Sequence, residues 1–192
     1  MYPELNEQIS CKDLLFRNRA KLYWQFNCNK AWLTFKNPHG KSRIISLLNH
    51  DFFRLQGRLG YVGFTEYPSF FLAQHNVISG CCDPPIFYLH DKTTGKIRSE
   101  LGSLVYFSKE YDTPVVIYTK EDRLVILNVE TGKKHIIELP GRSIEQGLIH
   151  KKTLYAENLF TTKQQQEQLV IYFDYQDNKK LITHFDIDLK KY

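Results

Sequence analysis

The chain has 192 residues, with 26 Lys and Arg against 21 Asp and Glu, a formal charge of +5, and 42% apolar and 24% charged residues. That is globular composition, which excludes a wholly disordered chain, and the length fits a single domain, 1–192, with a core that needs no disulfide staples. No run approaches the roughly 18–20 apolar residues of a membrane-spanning helix. The first residues carry no basic-then-apolar leader, so the expected compartment is the cytoplasm with its thiols reduced.

Residues 3–20 place Leu5, Ile9, Leu14 and Leu15 at near-helical spacing with Pro3 in the first turn, which predicts a short N-terminal helix. From Leu22 onward, runs rich in β-branched and aromatic residues alternate with turn clusters. The predicted strands are Leu22–Phe26, Ala31–Phe35, Arg43–Leu48, Tyr61–Phe64, Phe70–Gln74 and Ile86–His90, then Leu104–Phe107, Val115–Thr119, Leu124–Val129 and His135–Leu139. Gly147–His150, Thr153–Glu157, Leu169–Tyr175 and Leu181–Ile187 complete the series. Short strands about ten residues apart, without helical segments between them, predict an all-β, mainly antiparallel fold.

Residues 84–188 repeat a hairpin unit. Ile86–Leu101, Leu124–Leu139 and, more loosely, Leu169–His184 each read as strand, acidic or amide residue, Gly or Asn followed by Lys, then strand. Gly95, Gly132 and Asn178 are the residues that tolerate the left-handed backbone of such a turn. With its Thr-Gly-Lys corners the pattern resembles the blade repeats of β-propellers, although the Trp-Asp and Gly-His signatures of the WD40 type are absent. The resemblance implies four-stranded blades; a meander or two-sheet sandwich of repeated hairpins satisfies the same pattern. Unpaired edges in any of these invite homodimerisation through strand pairing.

Chemical motifs are sparse. No phosphate-cradling loop is present; Gly57 to Gly63 has three glycines at the wrong spacing and reads as a turn or close strand approach. Four cysteines, Cys11, Cys28 and the adjacent Cys81-Cys82, form no C-x-x-C pair, and no metal-ligand spacing or cofactor motif stands out. A hydrolase alternative would use Cys81 or Cys82 with a histidine, or one of the His–Asp pairs His50-Asp51, His90-Asp91 and His184 with Asp186. Residues 1–58 hold ten Lys and Arg against four acids, and the rest is near neutral. With Tyr23, Trp24, Phe26, Trp32 and Phe35 interleaved, Arg17, Arg19, Lys21, Arg43, Arg54 and Arg58 form a nucleic-acid alternative. The sequence pI of 8.9 disfavours it, and these aromatics alternate as in a half-buried strand.

The favoured reading is a non-enzymatic protein-binding module, with Tyr61, Phe64, Tyr67 and Phe70 around Pro68 as interface candidates, since Tyr is enriched at binding hot spots. A small, motif-free cytoplasmic chain is similar in these respects to bacterial immunity-type proteins, which implies a toxin as partner and neutralisation by direct binding. The +5 charge suits an acidic partner surface.

Overall fold

The computed structural model describes residues 13–49, 60–76, 83–177 and 179–192. Among them the strands form four open antiparallel sheets that follow one another along the chain. The first comprises β1 (Leu14–Leu15), β2 (Lys21–Phe26), β3 (Lys30–Lys36) and β4 (Ser42–Asn49); the second, β5 (Gly60–Glu66), β6 (Phe70–Asn76), β7 (Ile86–Asp91) and β8 (Ile97–Leu101). The third comprises β9 (Ser103–Phe107), β10 (Val115–Thr119), β11 (Arg123–Asn128) and β12 (Lys134–Glu138); the fourth, β13 (Phe160–Gln165), β14 (Gln168–Asp177) and β15 (Lys179–Asp188). Each is an up-and-down meander, the connectivity that hairpin-after-hairpin patterning demands. One helix, α1 (Ser143–Lys151), joins the third sheet to the fourth. Among the described residues no helix is long and apolar enough to cross a membrane.

The chain divides into two compact units, Met1–Glu100 and Leu101–Tyr192. In the first, Phe16, Leu22, Leu33 and Phe35 pack against Tyr61, Phe71 and Ala73 of the second sheet. Phe71 is the hub: its ring stacks on Phe16 at 4.9 Å and on His90 at 4.8 Å. In the second unit Val115, Ile117, Leu124 and Ile126 pack with Leu169, Ile171, Phe173 and Ile187. In β14 every second residue points inward, so alternation in the sequence becomes one apolar face, whereas β10 and β11 are buried on both faces.

The repeated corners have one backbone design. Asp91 Oδ1 accepts from the amides of Thr93 and Thr94, and Asn128 Oδ1 from those of Glu130 and Thr131. The Gly95 and Gly132 amides donate to the carbonyls of Asp91 and Asn128, with φ of 69° and 72°. Both turns join the third and fourth strands of their sheets. The β3–β4 turn is a shorter version: Asn37 Oδ1 accepts from His39 and Lys41, and Gly40 has φ 84°. The two long corners differ in surroundings. A Cβ on Gly95 would lie 2.4 Å from the Phe35 ring, whereas one on Gly132 would meet nothing within 4 Å. The third corner, at Asn178, lies outside the described residues.

Three expectations need correction. The described part of the 3–20 helix is a strand and a tight turn: Leu14 and Leu15 pair with Leu22 and Lys21, and Asn18 Oδ1 accepts from the Ala20 amide while Arg19 adopts φ 68°. Turn chemistry at Asn18 outweighs the apolar spacing. Gly147–His150 belongs to α1, whose Ile144 and Leu148, one turn apart, pack on the core. Asp122, from the β10–β11 turn, accepts from the Arg142 and Ile144 amides at 2.7 and 3.1 Å and so satisfies the start of the helix from a distance in sequence. Thr153–Glu157 is a turn running into a 3-10 segment (Ala156–Leu159), because Thr153 Oγ1 accepts from the Tyr155 amide and the Asn158 side chain.

Candidate functional site

The interface residues proposed from sequence are split by the fold. Tyr61 and Tyr67 are buried, and Phe64 and Phe70 half-buried. Tyr61 and Tyr67 are core residues: Tyr61 alternates inward on β5, and Tyr67, although beside Pro68, closes the β5–β6 hairpin by donating its amide to Phe70.

Around Tyr61 lies a group of titratable rings, His75, Tyr88 and His90. His90 Nδ1 is 3.1 Å from the Gly95 carbonyl and Nε2 is 3.1 Å from the Tyr61 hydroxyl. A carbonyl only accepts, so the proton sits on Nδ1 and Tyr61 donates to Nε2. Both ring nitrogens are thereby committed to structure. Burial pushes the His90 pKa down, against the Gly95 carbonyl and with help from the Arg43 guanidinium; burial also lowers that of His75. Burial pushes the Tyr61 hydroxyl up to about 12.

Depressed imidazoles mean that the unfolded chain takes up protons near pH 6.5 while the folded chain resists until lower pH. Their contribution to stability is complete above that value and lost as pH falls through the folded-state pKa. Tyr61 acts at the other limit, its contribution fading as pH rises from 10 towards 12. Urea denaturation across pH 5–8 should therefore show midpoints falling below about pH 6.5; a flat profile would mean that His90 charges in place without cost.

The other sequence candidates are dispersed. Asp91 spends Oδ1 on its own turn and is not aimed at His90. His184 and Asp186 stand 3.7 Å apart on the exposed face of β15. Cys28 is an exposed free thiol between β2 and β3. His50, Asp51, Cys11, Cys81, Cys82, Arg54 and Arg58 lie outside the described residues. No group of three or more His, Cys, Asp or Glu suited to a metal ion occurs among the described residues.

A surface that the sequence reading passed over is the outer face of the first sheet. Cross-strand partners share a face, and the register builds three rows: Leu15, Lys21, Lys36 and Ser42; Tyr23, Thr34 and Ile44; Gln25, Trp32 and Leu47. A bulge between Leu33 and Thr34 in the β3–β4 register sends Ile45 inward to the core and leaves Ile44 outside. Leu15 is 67% exposed, Ile44 56% and Leu47 53%. Gln25 Oε1 accepts from Trp32 Nε1 at 3.0 Å and from Thr34 Oγ1 at 2.7 Å, which holds the half-buried indole in one orientation. Lys21 pairs with Asp13 at 2.6 Å and lies over the Tyr23 ring at 4.7 Å. Lys30, at the start of β3, adds a third lysine to the face. By contrast the fourth sheet presents Thr161, Lys163, Tyr172, His184 and Asp186 on its outer side.

Neither protein-family models nor curated proteins give a match to this chain, so its surfaces must be read from their own chemistry.

Proposed function

We propose that this chain is a non-catalytic protein-binding module whose contact surface is the outer face of the first sheet. The observation that carries the reading is an apolar strip on β4, Ile44 and Leu47 beside an anchored Trp32, on a strand-built scaffold. Aliphatic side chains more than half exposed and adjacent mark protein contact sites, and an indole already fixed by Gln25 loses little freedom on binding. Lys21, Lys30 and Lys36 flank the strip, and among the described residues of this sheet Asp13 is the single acid, which fits a partner with an aliphatic centre and an acidic rim. Within that class the proposal extends to an immunity-type role, in which the partner is a toxin and the lysines speed encounter.

The test starts from a nuclease-treated pull-down from native cells and proceeds to titration with the purified partner. Ile44→Ser with Leu47→Ser should weaken that complex at least about tenfold, as for central interface residues, with the thermal midpoint nearly unchanged because both positions are exposed. Undiminished affinity would overturn the assignment. A dimer of this chain abolished by the same substitutions would assign the face to a second copy instead.

A further inference from the structure

The four hairpin turns at one end of the first unit meet on a single dipeptide, Lys92-Thr93. The Asn18 side chain of the β1–β2 turn donates to the Lys92 carbonyl at 3.3 Å, and the Asn37 side chain of the β3–β4 turn donates to the Thr93 carbonyl at 3.1 Å. The Lys92 amide donates to the Ser69 carbonyl of the β5–β6 turn at 2.9 Å. These bonds bring Arg17, Arg19, Lys41 and Lys96, all exposed, to one end of the unit, although they are up to 79 positions apart in sequence.

Among the described residues the composition of that end is one-sided. Residues 16–20, 37–41, 67–69 and 92–96 contain no Asp or Glu. The nearest carboxylates are occupied: Glu66 Oε1 accepts from Lys92 Nζ and the Arg17 amide, and Asp91 Oδ1 from three donors of its own turn. None of the four turns exposes a Leu, Ile, Val, Phe, Trp or Tyr. Ser69, Thr93, Thr94 and His39 stand exposed among the cations. A protein interface needs an apolar centre, which this end lacks. Binding to a phosphodiester backbone needs cations, hydroxyls and amides and no apolar centre.

We propose that the turn end of the first unit binds nucleic acid through its backbone phosphates, without reading sequence. This surface shares no residue with the sheet face proposed for protein binding, and it stands or falls independently. The sequence pI understated it because the cations come from three separate turns and are diluted along the chain.

The test is fluorescence anisotropy of the full chain with a labelled 20-base-pair DNA duplex of arbitrary sequence, over a salt series. Neutralisation of three phosphates, by Arg19, Lys41 and Lys96, predicts a slope of log affinity against log salt of about −2.7, or roughly 40-fold weaker binding at 200 mM than at 50 mM salt. Lys41→Gln and Lys96→Gln, whose side chains make no hydrogen bond or ion pair among the described residues and whose folding is checked by thermal midpoint, should each reduce the slope by about 1. No binding at 50 mM salt, or slopes unmoved by both substitutions, would overturn the proposal. So would equal binding to a poly-glutamate peptide, which would assign these cations to a carboxylate-rich partner.

Discussion

Glu66→Gln should destabilise the chain by about 3–5 kcal/mol, because it takes a paired carboxylate away from a buried ammonium. Lys92 is 1% exposed, and its Nζ lies 2.5 Å from Glu66 Oε1, 2.8 Å from the Tyr67 carbonyl and 5.8 Å from the centre of the Phe16 ring. The loss is large beside the roughly 5–15 kcal/mol that holds a typical domain folded. Replacing both partners, Glu66→Gln with Lys92→Met, should be milder than Glu66→Gln alone, since the apolar side chain removes the uncompensated charge. Urea denaturation of the three proteins measures the difference, and a single substitution costing under about 1 kcal/mol, the range of exposed ion pairs, would show that the ammonium is solvated.

Gly95→Ala and Gly132→Ala separate backbone strain from crowding. Both glycines hold a positive φ in the same hydrogen-bonded corner, so each substitution costs about 1–2 kcal/mol for the left-handed backbone. Only Gly95 faces an aromatic ring, with the added Cβ 2.4 Å from Phe35, a core residue that cannot retreat into solvent. Overpacking of this kind adds about 1–3 kcal/mol. Chemical denaturation should rank Gly95→Ala as clearly the more damaging. Equal losses would mean that Phe35 yields freely.

Most strands were legible because local and tertiary demands coincide. Val115–Thr119 is β-branched or aromatic throughout and is buried on both faces, and Leu169, Ile171 and Phe173 alternate inward as their spacing requires. The equivalence of the Gly95 and Gly132 corners was legible for a similar reason: the amide-accepting side chain, the Thr and the Gly that make the turn are contiguous in sequence. What escaped depended on distant partners. Helix α1 begins on a carboxylate from residue 122 and tolerates Gly147 because Leu159 needs the space. Strand β13 is almost wholly polar and exposed, held by pairing to β14 and by Phe160 stacked on Phe173 at 4.7 Å. The outer face escaped because Ile44 and Ile45 look alike in sequence; a bulge alone decides which is core. Tyr67 escaped because a tyrosine next to proline reads as a loop tip, whereas its carbonyl is tied to Lys92.

Lys92 belongs to the last hairpin of the first unit, yet its acceptors, Glu66, Tyr67 and Ser69, belong to the hairpin before it. During synthesis on the ribosome those acceptors emerge first and wait for the cation that joins them. A nascent chain truncated before residue 92 therefore has the earlier strands without the clasp, and the turn end can be completed only when translation delivers β7 and the corner that follows it.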